Sequence, residues 1–278
     1  MNIKIVNIVC IKYLAQVIIL STILLNNMSF AYVNINIFGT GLYLPYSMGV
    51  LGYIKKNIPI KNYHITGISG GAWCALLYTQ EKDLSNHDDL WDFSIGKNVN
   101  KISFHNDIRT FQSNIEKNLK LRYSGRDIID NNNKISIIAS NVKAIYNIKN
   151  VKKNDFTDIN DLIDYCLCSS YIPYISGNSF SKKYKDKYYI DGEIKNSKTL
   201  EIIGSDDIDC SSSINSINID RFMWGRKYSQ KALMFLDKEN SKKLFSEGWE
   251  DSENNREILL SKIKTNENSE NSENVILK

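Results

Sequence analysis

The stretch ITGISGGAW, Ile65–Trp73, sets a serine between glycines, with Gly67 and Gly71 each two residues from Ser69. YHIT (Tyr63–Thr66) leads into it as a strand, and GGAWCALLYT (Gly70–Thr79) follows as a helix. Gly-x-Ser-x-Gly at a strand-to-helix turn is the nucleophile-elbow pattern. The spacing has a steric reason. The serine must take a strained backbone conformation to hold its hydroxyl clear of the sheet. Side chains two residues to either side would collide there, so glycines stand in those places. The following helix points its positive end at the serine, which favours an anionic intermediate. The motif alone also arises by chance as a plain glycine-rich turn; the strand before it and the helix after it favour the nucleophile.

Outward from the elbow, VNINIF (Val33–Phe38) alternates apolar and polar residues and predicts a strand. GTG (Gly39–Gly41) breaks it, and Pro45 suits the first turn of a helix over PYSMGVLGYIKK. Strand, glycine loop, helix, strand, glycine turn and helix in that order predict an α/β fold with a parallel sheet. The loop fails the dinucleotide fingerprint because Leu44 holds the last glycine place, and it lacks the Gly-Lys-Ser/Thr of a P-loop. It still exposes successive backbone N–H groups, which is what an oxyanion hole needs. A tight turn is the plainer reading.

Further along, Asp83–Leu121 has a helical pattern. Ile108, Phe111, Ile115 and Leu119 share one face, with Asn106 or Asp107 as a cap. KISIIASNVKAIYNI (Lys134–Ile148) is strand-like, DINDLIDYCLCSS helical, and KYKDKYYI a hairpin running into Asp191. Lys227–Trp249 predicts one or two amphipathic helices, and residues 264–278 a polar, disordered tail.

The 278 residues are 42% hydrophobic, enough to bury a sizeable core, and a net charge of +4 with no lysine–arginine stripe argues against nucleic acid. Residues 1–31 carry Lys4 and Lys12, an uncharged run Tyr13–Leu25, and Ser29 and Ala31 spaced like a signal-peptidase site. They are expected to be a leader to the secretory pathway, with an uncleaved membrane anchor as the main competitor. Cys74, Cys166, Cys168 and Cys210 lack zinc-site spacing; they are expected as buried small residues, or as one unassigned disulfide in an oxidising compartment. Asp88, Asp89 and Asp92 are expected on a solvated helix face, so no metal is implied.

An active Ser69 needs a base. The usual hydrolase order places the histidine last. The histidines here are His64, His87 and His105, and none follows His105. The base is therefore expected to be a carboxylate.

The combination resembles the patatin-like phospholipases. The glycine loop GTG followed by LYLPYSMGVL, the elbow GISGG, the serine-rich segment CLCSSYIPYIS and the aspartate motif YYIDGEIKN occur in the family's order, from about Val33 to Asn196. The resemblance implies a three-layer α/β fold with a mainly parallel central sheet flanked by helices. It implies a lipid acyl hydrolase of phospholipase A or lysophospholipase type that uses no cofactor. Ser69 would be the nucleophile and Asp191 the base. The N–H groups of Gly39, Thr40 and Gly41 would form the oxyanion hole, with Gly67, Gly71 and Gly192 as motif glycines. The substrate would be membrane or micellar lipid, with peripheral membrane contact; SKKYKDKYY, more simply a solvated hairpin, is the candidate for anionic headgroups.

The chain departs from the family pattern twice. Leu44 replaces a further loop glycine. Glu193 replaces a small residue: on a strand its carboxylate would face away from Asp191, whereas in a turn it would raise the aspartate's pKa or block the site. The implied division is a leader at 1–31, a catalytic domain at 32–203, a helical extension at 204–263 and the tail. Two alternatives stay open: a catalytically inactive lipid-binding relative, and a different serine esterase that borrows a histidine.

Overall fold

The computed structural model describes residues 32–99, 101–103, 107–125, 134–144, 147–194, 215–220, 222–226 and 235–263. The expected leader, the expected tail, Cys210 and His105 lie outside them. In chain order the elements are β1 (Val33–Ile37), a 3-10 turn (Gly41–Tyr43), α1 (Leu44–Asn57), β2 (Tyr63–Ile68), α2 (Gly70–Gln80) and α3 (His87–Trp91), which runs into a π-helical turn (Asp92–Gly96). Then come β3 (Lys101–Ser103), α4 (Ile108–Arg122), β4 (Ile135–Ala144), β5 (Asn147–Lys153), α5 (Ile159–Ser169), β6 (Lys182–Tyr184) and β7 (Lys187–Ile190). The described chain ends with β8 (Asn215–Ile219), β9 (Phe235–Asp237), α6 (Lys238–Asn254) and α7 (Arg256–Ser261).

The fold is α/β, with a mixed seven-stranded sheet flanked by helices. β8, β1, β2 and β4 are parallel neighbours in that order; β5, β6 and β7 join antiparallel. The antiparallel half departs from a mainly parallel sheet. β5 follows β4 directly and pairs back along it, and β7, reached after α5 and β6, also runs against β4.

One register detail positions the site. β4 pairs with three strands but has two edges. β5 lies along Ile137–Ala144, overlapping the residues that pair with β2 and with β7, so it takes one edge alone. β2 and β7 share the other: Ile68 lies opposite Ile138, and Ile190 opposite Ser140. The two strands run toward each other and stop head-on. The next residue of each, Ser69 and Asp191, comes level with Ala139.

The strands around this junction are buried, with Ile35, Ile37, Ile65, Ile68, Ile135 and Ile137 all at 0% exposure, as expected where parallel strands have helices over them. Asn36, a polar residue of the alternating strand, is buried. β8 covers it, and its amide donates to Ser216 Oγ at 3.0 Å and Asn218 Oδ1 at 2.8 Å.

Several expectations change. Asp83–Leu121 is not continuously helical: β3 interrupts it and pairs with β9. Within α4, Ile108, Ile115 and Leu119 are buried as patterned and Phe111 partly so. Asp107 is its N-cap by position, but its carboxylate accepts from Ser103 N instead of from the helix. Lys134–Ile148 spans two strands, β4 and the start of β5. Segment 204–263 is not a purely helical extension. It supplies β8 to the main sheet and β9 beside β3, and falls in one unit with the preceding residues, Tyr32–Ile263. α6 packs along α1, where Tyr46 donates to Asp251 Oδ2 at 2.9 Å and Arg226 also holds that carboxylate. Among the described residues no helix is long and apolar enough to cross a membrane.

Candidate active site

Ser69 sits between β2 and α2 with φ 54° and ψ −124°, a conformation that costs a non-glycine residue about 1–3 kcal/mol. It is half-buried. The flanking glycines are needed because backbone crowds both. A Cβ on Gly67 would lie 2.7 Å from Ala72 Cα, and one on Gly71 2.8 Å from Phe38 O. The second contact presses the elbow onto the end of β1, which brings the Gly39–Gly41 loop beside it. A Cβ on Gly70 would lie 3.2 Å from Gly41 N and 2.5 Å from Thr40 Oγ1. The Thr40 hydroxyl is fully buried there and finds no hydrogen-bond partner among the described residues.

Asp191 arrives from β7 and is 5% exposed. Its N–H donates to Tyr171 O at 2.8 Å, and Gly192 N–H to Ser169 O at 3.0 Å, so the segment after α5 clamps the aspartate turn. Gly192 fits into the strand junction, where a Cβ would lie 2.6 Å from Ile138 O and 2.7 Å from Ile68 Cγ2. Ser69 Oγ donates to Asp191 Oδ2 at 2.5 Å. The other carboxylate oxygen accepts from Glu193 N–H at 2.8 Å. Burial pushes the Asp191 carboxyl up to about 6; the nearby Glu193 charge also raises it, against the two hydrogen bonds, which lower it. A base poised there is largely ionised at neutral pH and basic enough to take a serine proton.

Glu193 lies in a turn, not on a strand. Its carboxylate reaches the glycine loop, where Oε1 accepts from Gly39 N–H at 2.6 Å. Leu44 begins α1 and lies outside this contact.

Ser169 is a part of the site that the sequence reading assigned no role. Fully buried, its Oγ accepts from Ser69 N–H at 2.8 Å and donates to Ile138 O at 2.6 Å. It ties the strained elbow to β4. The serine pair at the end of a helix was visible in CLCSSYIPYIS, but only the fold shows which backbone group it meets.

His64 and His87, the described histidines, sit elsewhere. His64, five residues before Ser69 on β2 and so about 17 Å away along the strand, lies 2.8 Å from Ser136 Oγ. His87 pairs through Nε2 with Ser241 Oγ at 2.7 Å, against α6. Cys74, Cys166 and Cys168 are buried free thiols. Asp88 and Asp92 pair with Lys242 and Lys238. Among the described residues no cluster of His, Cys, Asp and Glu forms a metal site. A cavity of about 620 Å³ at the end of α2 is lined by Glu81, Asp83, Phe93 and Arg122. Within it Arg122 grips Glu81 through two 2.7 Å hydrogen bonds.

The chain matches no family model and no curated protein.

Proposed function

We propose that this protein is a serine ester hydrolase acting on lipid acyl esters, of phospholipase A or lysophospholipase type, with a three-layer patatin-like fold. The observation that carries the reading is the 2.5 Å hydrogen bond from Ser69 Oγ, on a backbone held at positive φ, to the buried carboxylate of Asp191. In the reaction, Asp191 takes the serine proton as Oγ attacks the ester carbonyl carbon. The negative charge on the carbonyl oxygen falls to the N–H groups of Gly39, Thr40 and Gly41, aided by the N-terminus of α2. The C–O bond breaks, the alcohol leaves with the proton from Asp191, and an acyl-Ser69 remains. Water then loses a proton to Asp191 and attacks the acyl carbon, releasing the acid and restoring the serine. No step calls on a cofactor.

The test is a panel of phospholipid, lysophospholipid and short-chain esters assayed with wild type, Ser69→Ala and Asp191→Ala. Each variant loses hydrolysis while keeping its far-UV circular dichroism. Undiminished activity in either would remove the dyad.

One observation favours a second reading, a catalytically inactive lipid-binding relative: the Glu193 carboxylate already occupies Gly39 N–H. A fluorophosphonate probe separates the two, since an active elbow takes the label at Ser69.

A further inference from the structure

The Glu193 side chain lies directly on the glycine loop. Its Cγ is 2.7 Å from where a Cβ on Gly39 would stand, so a side chain at residue 39 would displace it from this position. Its Oε1 sits 2.6 Å from Gly39 N. An oxyanion must lie 2.7–3.1 Å from its donors, on the same N–H. A carboxylate and a tetrahedral oxyanion carry like charge and cannot both take that donor. The backbone of Glu193 plays a different part: its N–H holds Asp191 Oδ1. Rotation of the side chain alone would free the loop and leave the dyad intact.

We propose that Glu193 is a latch on the oxyanion loop, its carboxylate holding the Gly39 N–H in the resting protein and swinging away before an ester reacts at Ser69. The proposal rests on the Ser69–Asp191 reading. It separates two roles within one turn: the main chain of residue 193 orients the base, and its side chain governs when the anion site is available.

The experiment measures the rate at which a fluorophosphonate probe labels Ser69 in the full chain, for wild type, Glu193→Ala and Glu193→Gln, with Ser69→Ala as the control. Removing the latch releases one charge-assisted hydrogen bond, so Glu193→Ala labels faster by about ten- to a hundredfold. Glu193→Gln keeps an oxygen acceptor without the charge and falls between. Labelled wild type with no acceleration in either variant overturns the latch and leaves the dyad standing. A second readout does not depend on reactivity: the Gly39 amide proton in ¹⁵N-labelled protein moves upfield in Glu193→Ala. An unmoved Gly39 resonance overturns the contact itself. No label in any variant sinks the Ser69 reading, and the latch with it.

Discussion

Replacing Asp191 with asparagine is expected to stabilise the protein at alkaline pH and, on the proposed reaction, to abolish hydrolysis. The carboxyl is raised from 3.8 to about 6, chiefly by burial. That difference, at 1.36 kcal/mol per pKa unit, is about 3 kcal/mol. Well below pH 3.8 the group is protonated both folded and unfolded, and the fold carries no penalty. Between pH 4 and 6 the unfolded chain ionises first, so stability falls as pH rises through the folded pKa. Above pH 6 both states are ionised and the full loss of about 3 kcal/mol persists. Asparagine never ionises. Its Oδ1 can still accept from Glu193 N–H, and its amide can face Ser69 Oγ in place of Oδ2, so the site keeps its hydrogen bonds. Urea unfolding at pH 4 and at pH 8 reads the effect. Asp191→Asn comes within about 0.6 kcal/mol of wild type at pH 4 and exceeds it by about 3 kcal/mol at pH 8. For a domain of this size that is a rise in Tm of about 6–12 °C. A gain equally large at pH 4, or none at pH 8, refutes the reasoning. The first would make the gain one of packing; the second would mean that Asp191 titrates as an exposed carboxylate.

On the proposed reaction the same carboxyl would set the acid limb of the rate. For wild type, kcat/KM on a short-chain ester climbs to half its plateau near pH 6, and in Glu193→Ala the midpoint moves to lower pH because a neighbouring negative charge is gone; a flat profile across pH 5–7 counts against Asp191 as the base. Ser169→Ala strips the partner from Ser69 N–H and from Ile138 O and destabilises the fold by about 1–3 kcal/mol in urea unfolding; a loss under about 0.5 kcal/mol, the ordinary range of surface substitutions, would show that the elbow needs no tie to β4.

What the sequence made legible follows physical range. The elbow was readable because its constraints are local: Gly67 and Gly71 are required by Ala72 and Phe38, neighbours in sequence or one strand away. β1, α1, β2 and α2 followed from period and from Pro45. The hairpin into Asp191 followed from its alternating lysines and tyrosines. β3 and β9 were not readable, because each is three residues long and exists only through pairing with the other. β8 was missed for a related reason. NSINI looks half-polar, and its asparagine and serine make sense only beside Asn36 on β1. The place of Glu193 stays open in the sequence, since a turn or a strand after Asp191 depends on the clamp from Tyr171 and Ser169.

The head-on meeting of β2 and β7 brings a carboxylate, with no relay between, within hydrogen-bond reach of this serine. Both strands lie on one edge of β4, and both end one residue short of Ala139. The main chains approach until Gly192 has no room for a Cβ beside Ile68 and Ile138. At that separation a side chain with a single methylene already brings its oxygen to 2.5 Å from Ser69 Oγ. An imidazole is larger and would itself need an orienting partner behind it. Here the backbone performs that orienting task, through Glu193 N–H on one carboxylate oxygen and the Tyr171 and Ser169 carbonyls on the turn. The same closeness makes Asp191 a stronger base, because the junction that delivers it also buries it.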